Sequence, residues 1–148
     1  MCDPTREYAI PVQAWAPWQV GDIERLEKVQ KKMVATILGL KRHSYEDKLS
    51  KLGLSTLAER REMLDLQLTY QISSGKADLN PDYWFKPIAH RLMETRLAAG
   101  GLNLAQPRAR LDLRRNFFSP RVVEPWNSLL IHTKSASKVY QFKKRLRS

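Results

Sequence analysis

Three runs of apolar residues lie between Asp22 and Gly75, spaced at helical steps of three, four or seven, and each is punctuated at both ends. This feature constrains the fold more than any other, because a period near 3.6 puts those residues on one face of a helix and cannot serve a strand. In the first run Asp22 is placed to cap, Ile23, Leu26, Val29, Met33 and Ile37 form the stripe, and Gly39 is the expected stop. In the second, Ser44 precedes Asp47 by three residues, Leu49 and Leu52 follow, and Gly53 closes the run. In the third, Thr56 and Glu59 have the spacing of a capping box ahead of Leu57, Leu64, Leu68 and Ile72, with Gly75 at the end.

The rest of the chain reads less regularly. Tyr8, Trp15 and Trp18 lie among Pro4, Pro11 and Pro17 in a lead-in whose aromatics should pack on the body. Asn80-Pro81 signals a turn beside the aromatic cluster Tyr83-Trp84-Phe85. A helix is expected from Ile88 to Leu97, ended by Gly100-Gly101. Residues 108–115 alternate, with Arg108, Arg110, Asp112 and Arg114 on one side and Ala109, Leu111 and Leu113 on the other, so an extended segment with outward arginines is expected. Asn116 or Ser119 then opens a helix with Pro120 in its first turn, which Pro125 must kink or divide. Ser135 begins a last helix with Val139, Phe142 and Leu146 turned inward. The expected fold is all-α: an irregular bundle of about five to seven helices with an extended arginine-rich segment. Residues 1–75 form its first part and 76–148 a basic second part, packed together as one domain.

Charge separates those two parts. Residues 1–74 hold 11 Lys and Arg against 10 Asp and Glu, whereas residues 75–148 hold 15 against 5. A net charge of +11 placed so unevenly points to an acidic partner for the second half, nucleic acid before an anionic membrane. The single cysteine, Cys2, permits no internal disulfide. With a polar N-terminus and no apolar run long enough to span a bilayer, an intracellular location is expected, nuclear or cytoplasmic and not secreted.

Catalysis finds little support in these residues. His43, His90 and His132 are far apart and none pairs with a cysteine, so no metal centre or cofactor is expected. No glycine-rich phosphate loop occurs. The acidic pairs Glu24/Glu27 and Glu46/Asp47 fall on polar helix faces rather than in a pocket fit for two-metal phosphoryl transfer.

The 22 residues from Arg108 to Leu129 carry five arginines beside Phe117, Phe118 and Trp126. Arg108, Arg110, Arg114, Arg115 and Arg121 are the first candidates for phosphate contact, since the planar guanidinium matches phosphate oxygens and keeps its charge. The competing reading pairs them with Asp112 or Glu124 on the surface. Lys138, Lys143, Lys144, Arg145 and Arg147 on the last helix are a second set, and Lys28, Lys31 and Lys32 a weaker third. A basic amphipathic helix also suits a membrane surface or calmodulin, but here its apolar face is needed for the fold. Trp15, Trp18, Trp126, Phe117, Phe118, Val122 and Val123 are expected in the core, with base stacking as the alternative for the tryptophans.

Several of these segments together resemble the C-terminal part of non-LTR retrotransposon reverse transcriptases of the jockey-like group. One block is Tyr8-Ala9 through Trp15-Ala16-Pro17, Asp22-Ile23, and Leu26-Glu27-Lys28-Val29-Gln30-Lys31-Lys32. A second is Ser44-Tyr45-Glu46-Asp47-Lys48-Leu49 with Leu52-Gly53-Leu54, Leu57 and Glu59-Arg60-Arg61. A third is Arg114-Arg115-Asn116-Phe117-Phe118-Ser119, Arg121-Val122-Val123 and Trp126-Asn127-Ser128-Leu129, followed by Phe142-Lys143-Lys144-Arg145-Leu146. Leu130 stands where the family usually has proline, and the family's paired catalytic aspartates have no counterpart here.

The resemblance implies a helical, thumb-like region beginning near the palm–thumb junction, one that grips the template–primer duplex without polymerising by itself. The leading expectation is therefore a non-catalytic nucleic-acid-binding domain that contacts the backbone of a duplex or an RNA–DNA hybrid. The alternative is a protein-interaction module, docking on a polymerase palm or another protein, or a non-functional remnant of a decayed retroelement polyprotein.

Overall fold

The computed structural model describes residues 17–37, 42–88 and 102–147. The expected lead-in around Tyr8 and Trp15, the stop at Gly39 and most of the expected helix from Ile88 to Leu97 lie outside them. Among the described residues the secondary structure is all-α apart from one isolated antiparallel bridge, Pro87 with Leu104. The helices are α1 (Val20–Ala35), α2 (Tyr45–Leu52), α3 (Leu57–Ser73), α4 (Pro81–Trp84), α5 (Asp112–Arg115), α6 (Phe118–Ser128), α7 (Ile131–Lys134) and α8 (Val139–Arg147). Three of the eight, α4, α5 and α7, are four-residue turns. That is why the number exceeds the sequence expectation: such turns carry no periodic signal. No described helix is long and apolar enough to cross a membrane.

The chain divides into two compact units at Glu62/Met63, inside α3, rather than at residue 75 where the charge balance shifts. The reason is that charge reports on the surface, whereas a unit is defined by its core. The C-terminal half of α3 supplies Leu66, Leu68, Tyr70 and Ile72 to the core of the second unit.

In the first unit, local chemistry closes both ends of α2 and opens α3 as the sequence predicts. Ser44 Oγ accepts from the Asp47 N–H at 3.1 Å to start α2, and Gly53, at φ +64°, ends it in the left-handed region that suits glycine. Thr56 and Glu59 complete the reciprocal box, Thr56 N–H to Glu59 Oε2 at 3.1 Å and Glu59 N–H to Thr56 Oγ1 at 3.2 Å. Asp22 lies in the first turn of α1 rather than at its cap, which is Gln19.

The apolar stripe of α1 departs from expectation. Leu26, Val29, Met33 and Ile37 are exposed, Met33 to 68%, and only Val34 of α1 is buried. The inward side is instead Ile23, Glu27, Gln30 and Val34, rotated roughly 90° around the helix from the apolar stripe at 3.6 residues per turn. Polar demand explains the rotation. Glu27 accepts from the Tyr45 hydroxyl at 2.5 Å and from the Leu57 N–H at 3.1 Å, the latter one of the unsatisfied donors at the start of α3, and Gln30 donates to the Ser55 carbonyl at 3.0 Å.

The second unit packs around three aromatic side chains that are essentially sealed from water, Tyr70, Trp126 and Phe142. Tyr70 and Phe142 stack with ring centroids 4.5 Å apart, and Trp126 lies 6.1 Å from Phe142. Residues 65–70 of α3 are all buried, so this half of the helix is covered on every side. Its polar members therefore need partners. Thr69 donates to the Asp65 carbonyl at 2.9 Å, and the Asp65 carboxylate is held by Arg121. Phe142 is buried and Val139 and Leu146 pack against the core, as the last helix's pattern predicts, although that helix begins at Val139 rather than at Ser135. Pro125 sits inside α6, which continues through it to Ser128.

Candidate nucleic-acid interface

The arginine-rich segment takes a different form from the one its alternation suggests. Residues 108 and 109 have no regular structure, and Asp112–Arg115 is a helical turn, α5, secured by the Asn116 amide on the Asp112 carbonyl at 2.8 Å. Leu111 and Leu113, expected inward, are exposed. A period-two pattern over eight residues cannot compete with one good turn when neither side of the pattern is buried.

The five arginines of this segment separate by environment. Arg108, Arg110 and Arg114 are exposed, and among the described residues none has a carboxylate within ion-pair distance. Arg115 pairs with Asp112 at 3.2 Å, both well exposed, and also donates to the Ala109 carbonyl. Such an exposed pair is weak and open to exchange with phosphate. Arg121 is different. It meets Asp65 with two parallel bonds, Nε to Oδ2 at 2.8 Å and Nη2 to Oδ1 at 3.1 Å, and donates from Nη1 to the Asn116 carbonyl at 3.0 Å. Its side chain is 21% exposed and that of Asp65 9%. Arg121 is therefore a structural group tying α6 to α3, and it leaves the set of phosphate candidates.

On α8, helical register sorts the second set. Tyr140, Lys144 and Arg147 fall at i, i+4 and i+7 on the side opposite Phe142, and all three are exposed. Lys143 is half-buried on a flank. Arg145, on the other flank, donates to the His132 carbonyl. Lys138 is exposed just before the helix. The two sets thus sit on separate elements. In the first unit, Lys28, Lys31 and Lys32 are exposed along α1, with Lys31 Nζ 4.9 Å from the centre of the Tyr45 ring.

Of the side chains expected in the core, Phe118, Val122, Val123 and Trp126 are there. Phe117 is 58% exposed and Trp18 is also exposed. Phe118 enters the core, whereas Phe117, at the cap position before α6, faces outward.

The pair Trp126-Asn127 has a structural role that its motif did not disclose. Trp126 Nε1 donates to the Leu102 carbonyl at 2.8 Å. The Asn127 amide both donates to the Leu104 carbonyl and accepts from the Leu104 N–H, each at 2.9 Å, as a neighbouring strand would. Lys134 Nζ completes the clamp, donating to Asn103 Oδ1 at 2.8 Å and to the Asn127 carbonyl at 3.1 Å while lying 6.0 Å from the Trp126 ring centre. Lys134 is only 5% exposed, and burial lowers its pKa from the ordinary value. Nothing in the sequence marked this lysine, because one of its partners, Asn103, lies 31 residues away.

The clamp holds residues 102–104 against Lys86–Ile88, where Ala105 N–H meets the Lys86 carbonyl at 2.7 Å and Ile88 N–H the Asn103 carbonyl at 3.1 Å. Beside it, within the second unit, a groove of about 890 Å³ is lined by Tyr83, Trp84 and Phe85, by Gln106 and Pro107, and by Arg114, Phe117 and Phe118 over a floor that includes Leu68, Ile72 and Val123. Among the described residues no three His, Cys, Asp or Glu side chains gather as a metal site would require. Comparison of the chain with protein-family models, with curated proteins and with solved structures returned no match.

Proposed function

We propose that this chain is a non-catalytic nucleic-acid-binding helical domain, similar to the thumb and C-terminal region of a retrotransposon reverse transcriptase, that holds the sugar-phosphate backbone of a duplex or hybrid. The observation that carries the reading is the trio Arg108, Arg110 and Arg114: three exposed guanidinium groups with no carboxylate partner among the described residues. The segment that bears them is fastened through α5 and through Gln106, whose amide donates to the Pro120 carbonyl at 3.1 Å. Lys144 and Arg147 on α8, beside Tyr140, offer a second basic surface. Binding by such groups is driven by counterion release and is indifferent to sequence.

The test is a titration with duplex DNA, duplex RNA and hybrid at several salt concentrations. Affinity should fall steeply between about 50 and 200 mM salt, and replacing Arg108, Arg110 and Arg114 by glutamine should flatten the log–log slope by about 0.9 for each phosphate no longer neutralised. Affinity that hardly changes with salt would overturn the proposal.

A second reading, a protein-interaction module, is favoured by the outward apolar stripe Leu26, Val29 and Met33 of α1, since contiguous exposed apolar surface favours association. Light scattering separates the two. A monomer that binds duplex supports the first reading, and an oligomer indifferent to nucleic acid supports the second.

A further inference from the structure

We infer that the aromatic groove of the second unit takes one unstacked nucleobase of a single strand, with Arg114 and Lys86 on its rim meeting the adjoining phosphates. This inference rests on the backbone-binding reading above and adds the class of strand that this surface prefers.

The groove leaves large aromatic surface in water. Tyr83 is 82% exposed and Phe117 more than half, yet both border the same concavity. Scattered apolar side chains on a surface need no explanation, but aromatics converging on a hollow of this size do. The rings behind them are already fixed. Trp84 meets Tyr83 edge-on at 5.6 Å and Phe118 edge-on at 6.0 Å, so an incoming planar group finds a wall that does not have to be ordered first.

Charge then selects the occupant. Of the lining residues Arg114 and Lys86 are cationic and Asp82 is anionic, a net positive rim around an apolar interior. A ligand that suits both features has a flat π-face and an attached anion, which describes a nucleotide. A proline-rich peptide would use the rings but leave the two cations without a counterpart. A duplex would use the cations but keep its bases stacked on one another and out of the groove. Arg114 thus belongs both to the exposed trio on the backbone-binding segment and to the rim of the groove, which places a phosphate contact next to a base site.

The experiment uses the full chain and three fluorescent probes of equal charge: a single-stranded oligonucleotide, the same strand with its bases removed, and a duplex. The base-bearing strand should bind about tenfold or more tightly than the abasic one at one salt concentration, since aromatic stacking of a single base supplies a factor of that order. The Tyr83→Ala, Phe117→Ala double variant should close that gap. It should leave duplex and abasic binding within about twofold and the thermal midpoint unshifted, because both side chains are exposed. Equal binding of base-bearing and abasic strands by the unaltered protein, with salt-dependent duplex binding intact, overturns the groove and leaves the backbone reading standing. A proline-rich peptide that displaces the single strand also overturns it. Absence of binding to all three probes overturns both.

Discussion

Arg121 and Asp65, 56 residues apart in sequence, face each other through two parallel hydrogen bonds of 2.8 and 3.1 Å. The pair joins α6 to the buried half of α3, and its low exposure distinguishes it from the surface pairs Arg25–Asp22 and Arg115–Asp112. Of the five arginines between Arg108 and Leu129, Arg121 is the one committed to the fold. Removing Asp65 would take two charged hydrogen bonds from a guanidinium whose side chain is only 21% exposed. Asp65→Ala should therefore lower stability by roughly 2–4 kcal/mol in chemical denaturation. Arg114→Gln should leave the denaturation midpoint alone while weakening duplex binding. A stability loss for Arg114→Gln equal to that for Asp65→Ala would contradict the division.

The buried aromatic trio predicts a sharp contrast along α8. Phe142 is fully buried between Tyr70 and Trp126, so Phe142→Ala should cost about 3–5 kcal/mol. Tyr140, two residues earlier and exposed, should tolerate alanine within about 0.5 kcal/mol. Thermal unfolding followed by circular dichroism resolves the two.

Tyr45 should titrate late. Burial, followed by its hydrogen bond to Glu27, pushes its pKa from 10.0 up to about 12. A raised pKa means that the neutral phenol is the form the fold prefers. Its contribution is complete below pH 10 and is lost as pH rises through about 12. Ultraviolet titration of phenolate should show a component ionising near pH 12 that Tyr45→Phe removes. Glu27→Gln should bring that ionisation part of the way back, because burial remains.

Lys134 runs the other way. Desolvation lowers its pKa below the ordinary 10.5, so the folded chain sheds this proton before the unfolded chain does. In that window the unfolded state binds more protons, and stability rises with pH toward 10.5. Lys134→Met should abolish the rise. It should also loosen residues 102–104, which amide hydrogen exchange at Leu104 would register. A pH profile unchanged by the substitution would remove Lys134 as its source.

What could be read from the chain and what could not divide along a physical line. The ends of α2 and α3 were legible because caps are local: Ser44, Gly53, Thr56 and Glu59 act on backbone groups within four residues, and their chemistry is the same in any fold. The inward placement of Phe142, Val122 and Trp126 was legible from helical spacing and side-chain size. The side of α1 that turns inward was not, since it depends on donors from Tyr45 and Leu57 that the hydrophobic period does not record. The helical turn at Asp112–Arg115 was hidden by an alternation with no buried side behind it. The fate of Arg121, the burial of Lys134 and the meeting of Tyr83 with Phe117 at one groove were decided only in three dimensions. Each depends on residues brought together from distant parts of the chain, and the identity of a charged or aromatic residue does not say which neighbours desolvate it.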